Sequence, residues 1–243
     1  MANKFYQPGE ERASRVQDLF ARVAPRYDLI NDLQSFGLHR WWKRKLIQLA
    51  NPRFGERALD VCCGTGDVTF GLAARGAQAT GLDFSEAMLG IARERTGTGS
   101  KRWQKDATAD FVHSDAENLP YADDSFDIVT ISYGLRNLSD WRRGLAEMRR
   151  VTKQNGRLLV LDFGKPENLL WRRLYFGYLR RFVPLFGKMF CGDAETHAYI
   201  LESLEQYPAQ KGVAAAMKET GCSEVAIHNL LGGIMSINYG RKK

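Results

Sequence analysis

The 243-residue chain has no apolar run of the about 18 residues that a membrane-spanning helix needs, no internal repeat and no low-complexity linker. These absences predict one domain over residues 1–243 with no membrane span. Cysteine is sparse. The four thiols, Cys62, Cys63, Cys191 and Cys222, include no C-x-x-C pair, which excludes zinc-finger and thioredoxin-type spacing. Cys62 and Cys63 are adjacent, and neighbours in a strand point to opposite faces. All four are read as reduced thiols of a cytosolic protein. Met1 to Gln7 is polar and carries no signal-peptide apolar stretch. No metal site is expected.

Hydrophobic residues make up 44% of the chain, enough for a proper core. Lys+Arg number 35 against 28 Asp+Glu, a formal charge of +7. That excess suits nucleic acid, an acidic membrane surface or an anionic ligand, and it equally suits plain solubility. The first fifty residues read as helical, with an amphipathic Ser14–Ala24 and an aromatic, basic Gly37–Ala50. An alternation then begins. Strands are expected at Ala58–Val61, Ala79–Leu82, Phe111–His113, Ile128–Ser132 and Leu158–Leu161. Helices are expected at Val68–Ala74, from an N-cap at Ser85 through Arg95, and at Trp141–Thr152 with a stop near Gly156. Alternation of this kind implies a parallel sheet with right-handed crossovers. Two last strands, Val225–Ile227 and Ile234–Tyr239, are separated by a short Gly-containing break that fits an antiparallel hairpin. Between about 166 and 208 a helical insertion interrupts the pattern. The expected fold is therefore α/β, a Rossmann-like mixed seven-stranded sheet closed by a terminal antiparallel hairpin.

The strongest local signal is Leu59-Asp60-Val61-Cys62-Cys63-Gly64-Thr65-Gly66-Asp67, a strand end opening into a helix. Gly64 and Gly66 permit a tight turn and close approach of a ligand to the backbone. Asp83 follows the second strand, where a carboxylate can accept from both ribose hydroxyls. A dinucleotide fingerprint would need a third glycine where Thr69 stands, and Asp67 would repel a pyrophosphate but welcome a sulfonium cation. Asp115 and Ala116 follow the third strand, where a carboxylate and a backbone N–H can read an adenine edge. Ser132 ends the fourth strand. In this order the elements resemble class I methyltransferases that use S-adenosylmethionine (SAM), with Asp60, Gly64, Thr65, Gly66, Asp83, Asp115, Ala116 and Ser132 as cofactor-binding candidates.

A further stretch, Tyr27-Asp28-Leu29-Ile30-Asn31-Asp32-Leu33-Gln34-Ser35-Phe36-Gly37-Leu38-His39-Arg40-Trp41-Trp42, resembles the signature of the MenG/UbiE family of quinone-biosynthesis C-methyltransferases. Tyr27, Asp28, Asn31, Ser35, His39 and Trp42 match its pattern, while Ile30 and Gln34 depart from it. Ser132-Tyr133-Gly134-Leu135-Arg136-Asn137 and Arg149 to Phe163 are similar to two more of its segments. In the latter, Gln154-Asn155 stands for Pro-Gly, Asp162 for Glu and Gly164 for Ser. The resemblance implies methylation of a ring carbon of a prenylated quinol, demethylmenaquinol above all, or the related step toward ubiquinone or phylloquinone.

Such a reaction asks for help in ionising a phenol and for a base that removes a ring proton. The catalytic candidates are Arg136 and Asn137 beside the quinol oxygen, and Asp67 and His39 as bases. Asp67 reads equally as a helix cap and His39 as a packing residue. Tyr27 and Arg136 are substrate-binding candidates.

A prenyl tail implies contact with a bilayer. In Trp171–Phe182, Trp171, Leu174, Tyr175, Tyr178, Leu179 and Phe182 share one helical face at about 100° per residue, with Arg172, Arg173, Arg180 and Arg181 opposite. That pattern suits docking on an anionic membrane and equally suits a helix covering the sheet, with Gly177 as a hinge. The expected location is the cytoplasm, peripheral at the inner face of the cell membrane. Oligomeric state, a homodimer included, is left open. A nucleic-acid partner is not expected, because Ser132-Tyr133-Gly134-Leu135 stands where an Asn/Asp-Pro-Pro-aromatic tetrad would serve a base amino group. A non-catalytic SAM-binding module is the other rival.

Overall fold

The computed structural model describes residues 24, 27–98, 109–191, 203–204 and 207–243, with side chains of the long helix described through residue 182. The elements run α1 (Tyr27–Ser35), α2 (Leu38–Ala50), β1 (Arg57–Val61), α3 (Asp67–Ala73), β2 (Gln78–Asp83), α4 (Glu86–Thr98), β3 (Ala109–His113) and β4 (Phe126–Ser132). A 3₁₀ turn (Leu135–Asn137) leads to α5 (Trp141–Val151), β5 (Thr152–Phe163), α6 (Leu169–Cys191), α7 (Ala209–Glu219), β6 (Cys222–Leu230) and β7 (Met235–Lys242). Of the expected Ser14–Ala24 helix only Ala24 is among the described residues, and Met1–Gln7, 192–202 and 205–206 lie outside them.

The seven strands form one sheet in the order β3-β2-β1-β4-β5-β7-β6. β1 to β5 are parallel, and β7 runs antiparallel to both β5 and β6. This is the mixed, hairpin-closed sheet of class I methyltransferases. Alternation along the central strands feeds two cores. Leu59, Val61, Val129, Ile131, Leu158 and Val160 pack with Leu145 and Met148 of α5 and Val213 and Met217 of α7. Ala58, Ile128, Leu159 and Leu161 face the other way, onto Trp42, Leu46 and Ile47 of α2 and Val68 and Leu72 of α3. Among the described residues no helix is long and apolar enough to cross a membrane.

Several boundaries differ from expectation. α5 begins on Asp140, whose Oδ1 accepts from the Arg142 and Arg143 amides. It ends at Val151 and passes directly into β5, so Gly156 lies inside a strand and stops no helix. The register between β4 and β5 shifts from Phe126↔Thr152 to Ile128↔Arg157, a bulge in which Asn155 takes φ +60°. Asn tolerates that left-handed conformation, which explains its place where glycine is usual. Ser85 precedes α4, but its hydroxyl has no partner among the described residues; Asp83 Oδ1 instead accepts from the Ser85 amide at 2.8 Å. Gly164 is demanded by contact: a Cβ there would meet the Gly233 carbonyl oxygen at 2.3 Å. Gly177 sits within α6, which runs unbroken past it.

The aromatic face of α6 also divides. Tyr175 and Leu179 are buried against Leu204, whereas Leu174 and Phe182 are 58% and 53% exposed. Adjacent turns drift past the seam, so one apolar stripe serves both core and surface.

Candidate active site

An open cleft lies beyond the carboxyl ends of β1, β2, β3 and β4, where ligands of open α/β sheets bind. It encloses about 960 Å³ of empty space, its mouth included, and is lined by Tyr27, Gly64, Asp83, Asp115, Ala116, Ser132 and Asn137 among the expected residues. Cys62, Met88, Tyr133 and Leu138 line it as well and were not expected. Cys62 and Tyr133 follow strand ends and Met88 lies in the first turn of α4, which is their one sequence signal; Leu138, at the end of the 3₁₀ turn, has none. Asp60, Thr65, Gly66, Asp67, His39 and Arg136 are not in the lining.

The glycine turn explains part of that division. Gly66 holds φ +86°, and a Cβ there would meet Phe111 and Phe70 at 2.9 Å, so its role is to let the turn pack onto the sheet. The Gly64 amide donates to Asp83 Oδ2 at 2.8 Å. Each Asp83 oxygen therefore holds one backbone N–H and keeps a lone-pair site for a ligand. Burial pushes the Asp83 carboxyl up, and its backbone donors work against that rise. Cys62 and Cys63 are free thiols, as is Cys222, and burial beside Asp83 pushes the first two well up, so they stay protonated.

Asp60 lies beneath the turn, fully enclosed, accepting from Thr69 Oγ1 at 2.8 Å and Thr130 Oγ1 at 2.9 Å. Burial raises its carboxyl from 3.8 to about 6. A carboxyl more easily protonated folded than unfolded stabilises the fold below about pH 4, and that contribution is lost as pH rises through about 6. At about 1.4 kcal/mol per unit, the shift amounts to about 3 kcal/mol. Asp60→Asn should therefore gain stability relative to the parent as pH rises from about 4 to 7, by up to that amount. Urea denaturation of both proteins across this range checks it; a difference independent of pH would contradict the assignment.

Asp67 opens α3 and pairs with Lys43 Nζ at 3.0 Å, with Arg95 Nη1 at 3.8 Å. Burial opposes the Lys43 charge, yet Asp67 holds its ammonium above the ordinary value. His39 Nε2 lies 2.7 Å from Asp32 Oδ1, and Asp32 also pairs with Arg40. Burial, seconded by Lys43, holds the His39 imidazole below its usual value, and Nδ1 has no partner among the described residues.

Arg136 departs most from expectation. It is 4% exposed and lies under the cleft rather than in it. Nη1 donates to Asp162 Oδ1 at 3.1 Å and to the Tyr133 carbonyl at 2.6 Å, and the guanidinium stacks on Phe163 at 4.6 Å. Burial pushes Asp162 up against the pull of Arg136. Asn137 Nδ2 donates to the same Tyr133 carbonyl at 3.2 Å. A carbonyl only accepts, so Nδ2 is the group that faces Tyr133, and Oδ1 of this cleft-lining residue has no partner among the described residues.

A family model described as the ubiE/COQ5 methyltransferase family matches residues 8–242. The chain belongs to the ubiE/COQ5 methyltransferase family. It is 40% identical over 241 residues to the ubiquinone/menaquinone biosynthesis C-methyltransferase UbiE of Pseudomonas fluorescens (strain Pf0-1), covering 97% of this chain and 91% of the relative. To the protein of the same description from Azotobacter vinelandii it is 39% identical over 242 residues, with 97% and 92% covered. Among solved structures, a SAM-dependent methyltransferase of Thermotoga maritima, described as a possible histamine N-methyltransferase, superposes with TM-score 0.65 at 20% identity over 93% of this chain and 99% of that one. One from Aquifex aeolicus does so with TM-score 0.61 at 18% identity, over 89% and 98%. At these identities the structural likeness is one of fold.

The family member is a SAM-dependent methyltransferase. Its cleft fits that cofactor on its own chemistry. Asp83 retains acceptor capacity at a strand end, and the buried Ser85 and Ser132 hydroxyls in the lining have no protein partner among the described residues. Buried polar atoms left open in this way are what a polar ligand satisfies.

Proposed function

We propose that this methyltransferase transfers the methyl group of SAM to a ring carbon of a prenylated quinol in quinone biosynthesis, with demethylmenaquinol giving menaquinol as its own step. What carries the reading is 40% identity along nearly the whole chain to quinone-biosynthesis C-methyltransferases, joined to a cleft at the strand ends. SAM supplies an electrophilic methyl on a cationic sulfur. When bound, SAM would be held by Asp83 accepting from its ribose, by Asp115 and the Ala116 amide at its adenine, and by the Gly64–Gly66 turn at its amino-acid end. Outside the cleft, Asp60 ties α3 to β4 through the Thr69 and Thr130 hydroxyls, and Thr65, within the turn, donates to Asp28.

A neutral quinol carbon is a poor nucleophile, and a phenol ionises only near about pH 10. Asn137 Oδ1 accepts the quinol O–H and so places electron density on the oxygen that feeds the ortho carbon. Arg136 holds Tyr133 and Asn137 in place from below, and Ser132 and Tyr27 complete the walls. The ring proton then leaves to restore aromaticity. Asp67, flanked by Lys43 and Arg95, is a weak base. His39, held below its usual value by burial and with a buried Nδ1 that has no partner among the described residues, is the better acceptor and takes the proton through water, since it does not line the cleft. A panel of short-tail demethyl naphthoquinols and methoxy-benzoquinols, assayed with labelled SAM, tests the choice of quinol. Preference for the benzoquinol would move the step to ubiquinone biosynthesis.

The same reading puts the enzyme at the cytoplasmic face of the membrane. α6 presents Leu170, Leu174 and Phe182 beside Arg173, Arg180 and Arg181, all exposed. Trp171 Nε1 donates to the Leu231 carbonyl at 3.0 Å and Tyr178 Oη to the Gln34 carbonyl at 2.8 Å, so the helix spans from the β6–β7 turn to the end of α1. Arginines near an anionic surface contribute about 1 kcal/mol each. Changing Arg173, Arg180 and Arg181 to Gln should release the protein from anionic vesicles, with the larger difference at low salt. Turnover of a short-tail quinol should hold while turnover of a long-tail quinol in vesicles falls. Unchanged co-sedimentation would show α6 to be a cover for the core alone.

A further inference from the structure

We propose that Asp28 is a positioning residue that fastens α1 to the glycine turn, so that the wall facing the quinol and the turn carrying the methyl donor are set together. Asp28 lies in the first turn of α1. Its Oδ1 accepts from Thr65 Oγ1 at 3.1 Å, and its Oδ2 pairs with Arg95 Nη2. Arg95 Nη1 closes the triangle by donating to the Thr65 carbonyl at 3.0 Å. Three elements distant in sequence thus meet at one carboxylate: α1, the β1–α3 turn and α4.

The consequence lies one residue earlier. Tyr27 lines the cleft and reaches to 3.9 Å of where a side chain on Gly64 would begin. α1 otherwise packs against α2 and α6. Asp28 is therefore a polar tie from α1 to the glycine turn. Charges balance along this tie, since Asp28 and Asp67 face Arg95 and Lys43. Any ligand that orders the turn then orders Tyr27 too, and by linkage a quinol resting on Tyr27 favours the ordered turn.

Hydrogen exchange with S-adenosylhomocysteine as the probe tests this directly. In the parent, the ligand should slow exchange tenfold or more both at residues 57–66 and at residues 27–35. In Asp28→Ala the slowing at 57–66 should remain while that at 27–35 falls below twofold. Asp28→Asn keeps an acceptor for Thr65 but loses the charge facing Arg95, and should fall between. If Asp28→Ala proves unfolded, with residues 128–132 unprotected, the comparison with Asp28→Asn decides. Slowing at 27–35 equal to the parent's in a folded variant, or none in the parent, overturns the proposal. A second arm rests on the quinol reading: in Asp28→Ala the quinol KM should rise fivefold or more, with kcat less affected. A parent that turns over no quinol counts against that reading alone, because the exchange arm involves no quinol.

Discussion

Replacing Arg136 by alanine is expected to destabilise the folded enzyme by about 3–5 kcal/mol, the scale of breaking a buried ion pair from one side. Asp162 would keep its buried place and the Phe163 amide at 2.8 Å but lose its counter-charge. The sign with pH follows. Burial already pushes the Asp162 carboxyl up, and without Arg136 it rises further, so the variant loses stability as pH climbs through the raised value. The deficit should be larger at about pH 8 than at about pH 4, near the ordinary carboxylate value. Arg136→Leu combined with Asp162→Asn should recover much of it, because neither buried charge remains. Arg136→Lys keeps a charge for Asp162 but loses the planar guanidinium that stacks on Phe163 and whose Nη1 also reaches the Tyr133 carbonyl; kcat should fall about tenfold with SAM affinity unchanged. Chemical denaturation at the two pH values measures the first effect. A deficit under about 1 kcal/mol would mean that the pair is not what holds the floor of the cleft.

Asp83→Ala is expected to weaken SAM binding by about 1.5–3 kcal/mol, roughly 10- to 150-fold in Kd. Two losses add here. The carboxylate's remaining lone pairs no longer meet a ligand, and the Gly64 and Ser85 amides lose the acceptor that sets the turn. Asp83→Asn separates them, since its oxygen can still take one amide while its NH₂ faces the other. Titration calorimetry on folded variants checks the ordering Ala weakest, Asn between. Unchanged SAM affinity in Asp83→Ala would remove the carboxylate from the cofactor site.

The sheet was legible because its signals are local and periodic. β1 to β5 alternate with helices, and Asp83, Asp115 and Ser132 each stand at a strand end, where chain order alone brings them to one edge. Five of the seven expected residues in the cleft, Gly64, Asp83, Asp115, Ala116 and Ser132, meet there for that reason, while Tyr27 comes from α1 and Asn137 from the 3₁₀ turn. What was not legible depends on depth. Arg136 and Asn137 are neighbours in sequence, yet the 3₁₀ turn sends one under the floor to Asp162 and the other to the cleft. No pattern in the sequence distinguishes them. The Asp28–Thr65–Arg95 contact is illegible for another reason: its partners are separated by 37 and 67 positions, and nothing local marks a long-range carboxylate. On α6 the apolar stripe was readable, but its division between core and solvent depends on where the β6–β7 turn and α1 meet the helix.

In the proposed reaction a carbon–carbon bond forms between the donor's methyl group and a quinol ring. The direct measurement uses SAM carrying a carbon-13 methyl, the enzyme and a reduced short-tail demethyl naphthoquinol, with the product examined by carbon NMR. The account predicts a labelled methyl coupled to ring carbon, one per turnover of SAM to S-adenosylhomocysteine, and its loss in Asp83→Ala. Label found on oxygen or nitrogen, or SAM bound with no label transferred to any naphthoquinol or benzoquinol, would contradict it.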